Sequence, residues 1–348
     1  MIKIHMFSSA TKVAGQGVGS AYTELMGMLT HHFPNEFDIR VNDYSASDIS
    51  HYHTIDPQFF LTMHAKKRGR RIGYVHFLPE TLKGSLSIPF PADEVFYKYV
   101  IAFYKSMDQL VVVNPSFIPK LADYGIPAST VEYIPNFVSK EAFYAYTPAE
   151  KMALRAQLKI SPDDFVVFGN GQVQERKGVK DFIQLAKDHP NVKFIWAGGF
   201  SFGRLTDGYD DFKRAIDNPP ANLTFTGIIP RDKMRDYYNV ADLFLLPSFD
   251  ELFPMSVLEA YACGVPVMLR DLSLYHAIIN NRYVPAANEQ EMARQLEQFV
   301  NDPSQLSPWR AAANAASAYY SEDRLANIWH QFYTTQAKLG QRPRRRTS

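Results

Sequence analysis

The residue types best suited to chemistry lie in the second half of the chain. Glu251 and Glu259 stand eight positions apart in the run Phe249-Asp-Glu-Leu-Phe-Pro-Met-Ser-Val-Leu-Glu-Ala260. This run follows an apolar, strand-like stretch at 243–246 and leads into a helix-like segment. If the helix begins at Met255 or Ser256, Glu251 falls in the loop before it and Glu259 in its first turns. The N–H groups of Met255, Ser256 and Val257 then have no acceptor in a preceding turn. A helix start with free donors attracts an anion. Carboxylates accept paired hydrogen bonds in a defined geometry, which suits the hydroxyls of a sugar or a ribose. A capped helix start followed by a solvated glutamate would give the same spacing, so the pair by itself leaves both readings open.

A second group precedes it. Gln172-Val-Gln-Glu-Arg176-Lys177-Gly178 follows a strand-like run at 165–168. Adjacent Arg and Lys between a strand and a helix can neutralise the charge growing on a departing diphosphate. Alone, such a pair is an ordinary basic turn. Two motifs in this order in one stretch point together to a nucleotide carrying a diphosphate. In the first half, Gly15-Gln-Gly17-Val-Gly19-Ser20 allows close backbone approach to a phosphate or sugar, or is simply a flexible turn. His76 closes the strand-like Tyr74-Val75-His76-Phe77, and Asn114 and Ser116 close the next. For those last two, lining a cleft and capping a loop are equally open.

The elements that must position these residues alternate in a βαβ rhythm. Strand patterns fall at 2–8, 71–75, 109–113 and 131–134, and again at 165–168, 192–196, 223–225, 243–246 and 265–269. Helical spacing joins Tyr22, Leu25, Met26, Leu29 and Phe33, and later Val179, Phe182, Ile183 and Ala186. The rhythm lapses over 138–150. The expected class is α/β: two Rossmann-like, doubly wound domains over 1–145 and 146–315, facing an inter-domain cleft. A helix over 316–340, carrying Leu325, Ile328, Trp329, Phe332 and Tyr333, is expected to cross back to the first domain, leaving a basic tail at 341–348. In open α/β sheets ligands sit beyond the carboxyl ends of the strands, so two such sheets set the reaction in the cleft.

Composition excludes several alternatives. A net charge of +1 over 348 residues gives no global field for nucleic acid. The single Cys263 permits no internal disulfide and no cysteine-rich zinc site, and fits a reducing, cytoplasmic compartment. The N-terminus reads as a strand and not as a secretory signal. The longest apolar candidate, 95–113, is broken by Lys98, Lys105 and Asp108, too soon to span a bilayer. No Asp-x-Asp motif offers a metal site, since Asp163-Asp164 and Asp210-Asp211 lack the spacer. Neither a cofactor nor a metal is therefore expected. Five of the six residues Lys66, Lys67, Arg68, Gly69, Arg70 and Arg71 are basic, and Phe96, Tyr97 and Lys98 follow within an aromatic, basic helix. That chemistry suits an anionic membrane surface; a solvated turn and a buried helix face are equally open. The tail adds four arginines at 342–346.

Taken together, Arg176-Lys177-Gly178, the Glu251–Glu259 spacing and Ile134-Pro135-Asn136 resemble the family-four retaining glycosyltransferases of GT-B fold, over nearly the whole chain. The resemblance implies that Arg176 and Lys177 clamp the donor diphosphate, that Glu251 contacts the transferred sugar and that Glu259 contacts the ribose. The Leu252, Phe253, Met255, Ser256 and Val257 backbone would approach the sugar and diphosphate. Gly227 and Ile228 would hold the nucleobase, Gly17 and Gly19 would approach the diphosphate, and His76 would bond the donor sugar. The runs His51–Asp56, Tyr74–Thr81 and Val113–Pro119 are similar to glycolipid synthases of Gram-positive bacteria. That similarity implies UDP-galactose as donor, with UDP-glucose the near alternative. It implies a glucosyl-diacylglycerol acceptor, a lipoteichoic acid anchor as product, and peripheral attachment to the inner face of the cell membrane. A soluble glycan acceptor, a nucleotide-sugar epimerase, a phosphorylase and a non-catalytic membrane-surface protein remain as rivals.

Overall fold

A computed structural model describes residues 1–12, 17–79, 92–200, 203 and 208–341. Its first lobe is built on six strands: β1 (Ile2–Phe7), β2 (Phe37–Val41), β3 (Ile49–Tyr52), β4 (Arg70–Val75), β5 (Gln109–Val112) and β6 (Val131–Tyr133). They lie in the order β2-β1-β3-β4-β5-β6, all parallel. The second lobe holds β7 (Val166–Asn170), β8 (Lys193–Ala197), β9 (Leu223–Gly227), β10 (Leu243–Leu246), β11 (Val267–Arg270) and β12 (Val284–Ala286). Their order is β12-β11-β10-β7-β8-β9, again all parallel. Parallel sheets are covered by helices on both faces, so their strands read as unbroken apolar runs. All four residues of β10, Leu-Phe-Leu-Leu, are buried for this reason.

Strands β2, β3 and β12 are absent from the sequence reading. Strand β2 is an edge strand, Phe-Asp-Ile-Arg-Val, with its polar residues partly exposed. Strand β3, Ile-Ser-His-Tyr, buries polar types completely, which no hydrophobic pattern reports. Strand β12 has three residues, one of them Pro285.

Each sheet reverses its order once. In the second, β7 lies between β10 and β8, so the loops after β7 and β10 diverge from neighbouring strand ends and leave a crevice. Residues 171–178 and 247–254 are those loops. In the first sheet the same reversal occurs at β1, and the helix Gly17–His32 follows it.

The chain leaves the first sheet after Tyr133. It enters the second lobe at the helix Pro148–Gln157, where Thr147 and Glu150 form a reciprocal capping box. The helix Glu322–Gln341 then returns to the first lobe. Its Trp329 is buried against His51 and Tyr74, and the Tyr333 hydroxyl meets His51 Nδ1 at 2.7 Å. Gln336 accepts from Arg70, and His330 pairs with Glu36 at 2.7 Å. The last helix thus seals the far side of the first sheet with aromatic and histidine rings.

Those rings have a pH consequence. Burial lowers the His51 pKa to about 3 from its ordinary 6.5, and burial also holds His53 well below that value. The unfolded chain therefore takes up protons below pH 6.5 that the folded chain refuses. Stability is complete above 6.5 and is lost as pH falls toward 3. From pH 7 to 5, His51 alone should cost about 2 kcal/mol. Thermal melts of the wild type and His51→Asn across this range check it. The wild type should lose the more stability, and parallel pH curves would sink the assignment.

Candidate active site

The residues of the cleft are set by the switch point of the second sheet. The β7 loop ends in a single turn, Glu175–Lys177, and leaves it through Gly178 at φ 68°. A side chain at 178 would collide with the Pro247 carbonyl, so only glycine lets the two loops close up. The Phe249 N–H donates to the Arg176 carbonyl at 2.8 Å and locks the loops together. Lys177 is thereby brought to Glu251, with which it forms an ion pair. Arg176 donates to the Asp250 carbonyl and lies 3.8 Å from the second Glu251 oxygen. Burial pushes the Glu251 carboxyl up, but Lys177 and Arg176 outweigh it and hold the group below its ordinary value. Burial lowers the Lys177 ammonium in turn, against the attraction of Glu251. Arg176 Nε is buried with no partner among the described residues, so this cation keeps a donor free.

The helix Met255–Ala262 begins after Pro254, with no side-chain cap. Its N-terminal groups therefore face the cleft uncapped, as an anion site requires. One expectation needs correction: the Val257 N–H donates to the Pro254 carbonyl at 3.1 Å, and its side chain is fully buried in the core. Val257 is packing, and the donors left over belong to Met255 and Ser256. Glu259 accepts from the Tyr238 hydroxyl at 2.7 Å and from Arg231 at 2.7 Å.

Side chains of the first lobe hold the 252–253 loop from across the cleft. The Asn114 amide donates to the carbonyls of Leu252 and Leu274, each at 3.0 Å, and the Asn136 amide donates to Phe253 at 3.2 Å. Asn114 Oδ1 also accepts the Ser116 N–H at 3.0 Å. Asn114 therefore both caps its loop and bridges the lobes.

These elements enclose a cleft of about 820 Å³. The first lobe contributes Gly17, Gly19 and His76. The second contributes Arg176, Lys177, Ile228, Glu251, Leu252, Phe253, Met255, Ser256 and Glu259. Gly19 packs so near the Ala10 carbonyl that an added Cβ would lie 2.9 Å from it. Gly15 and Gln16 lie outside the described residues. His76 stacks on Tyr74 at 4.4 Å, and its Nε2 meets His53 Nδ1 at 3.1 Å. Burial lowers its pKa to about 3, so it works as a neutral imidazole. Gly227 does not line the cleft. With φ at 72° it turns the chain so that Ile228, half exposed, reaches the rim. Among the described residues no three His, Cys, Asp or Glu are grouped to hold a metal ion.

The basic run needs the largest correction. Arg68 is 2% exposed, donates to the Thr62 and Asp43 carbonyls, and lies over the rings of Phe7 and Tyr44. Arg70 bonds Gln336 of the last helix, and Arg71 grips Asp108 through two N–H groups at 3.1 Å. These three arginines are internal struts; Lys66 and Lys67 alone stay exposed. The run leads into β4 and supplies its first two residues, whereas His76 follows the strand. From Arg70 to His76 the strand rises roughly 20 Å, so the run lies at the wrong end of the sheet for an acceptor site. Phe96 packs inward against the first lobe's core beside Tyr99, Tyr97 is half-buried, and Lys98 is exposed and paired with Glu94 at 2.8 Å. The arginine tail, 342–346, and the acidic end of the Tyr74–Thr81 run lie outside the described residues.

The sequence reading missed Arg231, Glu24, Tyr238, Asn170, Asp250 and His53. Arg231, Asn170 and Asp250 line the cleft, and Glu24, Tyr238 and His53 bond residues that do. Asp250 adjoins Glu251 in sequence; the others are ordinary residue types that only the fold brings together.

Two Rossmann-like lobes joined at such a cleft form the GT-B architecture of glycosyltransferases. Residues 150–316 match the family model described as "Glycosyl transferases group 1". The chain is 48% identical to alpha-galactosylglucosyldiacylglycerol synthase of Streptococcus pneumoniae, over 98% of this chain and 91% of that one. It is 32% identical to the processive diacylglycerol alpha-glucosyltransferase of Acholeplasma laidlawii, over 52% of this chain and 53% of the relative. Among solved structures it resembles HepE of Anabaena, crystallised with UDP-glucose, at a TM-score of 0.77, 15% identity, and 96% and 100% coverage of the two chains. Sucrose-phosphate synthase of Thermosynechococcus elongatus gives 0.80, 16%, 96% and 99%. At these identities the structural likeness establishes the shared fold. The chain belongs to the group 1 glycosyltransferases, family four of the retaining GT-B enzymes.

The ion pair gives a test that separates chemistry from folding. Lys177→Ala leaves Glu251 buried without its partner and should destabilise by about 3 kcal/mol. It should also cut turnover by about 100-fold or more. Adding Glu251→Gln to that variant should restore most of the stability and none of the turnover. Recovery of both together would make the pair purely structural.

Proposed function

We propose that this enzyme moves galactose from UDP-galactose to α-glucosyl-diacylglycerol, with retention of anomeric configuration and without a metal. The observation that carries the reading is the Arg176–Lys177 pair beside an uncapped helix start, facing Glu251 across the switch point. Positive charge and free donors converge where a diphosphate would depart, and a carboxylate stands where hydroxyls would be recognised. The near-full-length similarity to the pneumococcal synthase supports the galactose donor and the glycolipid acceptor. The similarity to the processive glucosyltransferase favours UDP-glucose as the second reading.

In this mechanism the acceptor hydroxyl oxygen bonds the anomeric carbon on the face from which the phosphate leaves. The bond from that carbon to the diphosphate oxygen breaks. The acceptor's proton passes to a departing phosphate oxygen. Arg176, Lys177 and the N–H groups of Met255 and Ser256 stabilise the charge left on the diphosphate. Glu251 orients the sugar, and Glu259 the ribose. His76, neutral, is free to bond a sugar hydroxyl.

Among the described residues no helix is long and apolar enough to cross a membrane. Membrane contact is assigned to the first turns of the helix Ala92–Lys105. That helix runs antiparallel to β4 and β5, so its start lies at the cleft end of the lobe. Val95 there is 67% exposed, an apolar side chain suited to entering an interface, while Lys98 is paired with Glu94 at 2.8 Å.

UDP release is measured with each donor and glucosyl-diacylglycerol in anionic vesicles, with a chelator present. Release that needs both UDP-galactose and the glycolipid, and survives the chelator, is the expected result. Release with UDP-glucose alone would select the second reading. No release with either donor would refute the lipid acceptor. Val95→Asp should weaken vesicle binding severalfold while leaving UDP affinity intact.

A further inference from the structure

The proposed ribose carboxylate is tied to the opposite lobe through a single arginine. Arg231 opens the helix Arg231–Val240, and its side chain lines the cleft, 30% exposed. One terminal nitrogen donates to Glu259 Oε1 at 2.7 Å, and the other donates to Glu24 Oε1 at 2.5 Å. Glu24 belongs to the first lobe, on the helix Gly17–His32 whose first turn brings Gly17 and Gly19 to the cleft. Both carboxylate side chains are only 6% exposed.

The remaining oxygens are also occupied. Glu24 Oε2 accepts the Ser139 N–H at 2.9 Å, and Glu259 Oε2 accepts the Tyr238 hydroxyl at 2.7 Å. Asn170, at the end of β7, donates to that hydroxyl at 2.8 Å. The guanidinium lies over the Phe143 ring, 4.9 Å from its centre, in the segment joining the lobes. Arg231 is thus held on three sides, by both lobes and their connection.

This arrangement fixes more than charge. A carboxylate has about four lone-pair positions, and Glu259 spends one from each oxygen on Arg231 and Tyr238. One remains on each oxygen, and Glu259 lines the cleft. Two acceptors on one planar group match the two hydroxyls of a vicinal diol. With donors on both oxygens, the plane cannot rotate freely. One of those donors depends on Glu24, and so on the first lobe being in place.

We propose that Arg231 is a positioning residue that sets Glu259 for a vicinal diol of the donor, and that Glu24 makes this setting depend on the other lobe. The inference rests on the reading of this cleft as a nucleotide-sugar site. It adds that ribose recognition and lobe contact are one network.

The test measures calorimetric affinities of UDP and 2′,3′-dideoxy-UDP for the wild type, Arg231→Gln, Arg231→Lys and Glu24→Gln. The wild type should prefer UDP by about tenfold or more, the scale of hydrogen bonds to a charged group. Arg231→Gln should bind the two nucleotides within about twofold, and Arg231→Lys should recover part of the preference. Glu24→Gln, which touches no ligand, should fall between wild type and Arg231→Gln. Donor KM should rise in these variants more than kcat falls. A merely structural role would weaken both nucleotides equally, and that outcome overturns the proposal. A wild-type preference that persists unchanged in Glu24→Gln overturns the coupling between lobes, even if Arg231→Gln fails to fold. A wild type that does not distinguish the nucleotides refutes the diol role of Glu259, and this proposal with it. Acceptor-dependent UDP release would remain a separate result.

Discussion

Everything in this molecule follows from the parallel arrangement of its strands. A parallel sheet sends every strand-to-helix loop to one edge, and a reversal in strand order opens a crevice there. With the twelve described strands in two such sheets, the two edges meet at one cleft. Meeting requires ties across the gap, and the structure supplies them at several depths. Asn114 and Asn136 hold the 252–253 carbonyls, Arg231 joins Glu24 to Glu259, and the last helix returns to close the first sheet. The last helix is an apolar and aromatic seam, with Leu325, Trp329 and Tyr333 buried. Asn114, Asn136 and Arg231 make directional polar contacts instead, which can break and re-form as the lobes move.

How far the site was legible depended on whether its residues were neighbours in sequence. Arg176 and Lys177 sit together, and Glu251 and Glu259 share one loop and helix, so spacing reported them. Glu24 and Arg231 are 207 positions apart, and His53 and His76 lie on different strands. No window of sequence contains either pair. The basic run at 66–71 was misleading for the converse reason. Its composition is that of a surface, yet Arg68, Arg70 and Arg71 each found an acceptor or a ring inside the lobe. An arginine has five donors and a flat face, and an interior can satisfy both. Charge count alone does not separate that fate from a membrane patch; the place of the run at the start of β4 does.

The fold divided along the same line. Central strands such as β10, with four apolar residues in succession, announced themselves. Strand β3 did not, because its Ser50 and His51 are buried, the first meeting Ser47 and the second Tyr333 of the last helix. His51 is acceptable in the interior only because Tyr333 and Trp329 come back to meet it from the end of the chain. The C-terminal helix and the oddly polar strand therefore explain each other, and neither is interpretable alone.

At the centre of the cleft Lys177 is matched by Glu251. Under the proposed function, a diphosphate arriving there brings negative charge that competes for Lys177. As the diphosphate takes the lysine, the Glu251 oxygen that held it becomes available to a hydroxyl. A sugar attached to that diphosphate presents such hydroxyls at the same moment. Both halves of the ligand are needed for the exchange to balance: the phosphate alone would strand a buried carboxylate, and the sugar alone would have to displace an ammonium. Burial makes each unbalanced alternative costly by several kcal/mol. Under the proposed function the pair would therefore select a sugar joined to a diphosphate over either piece alone.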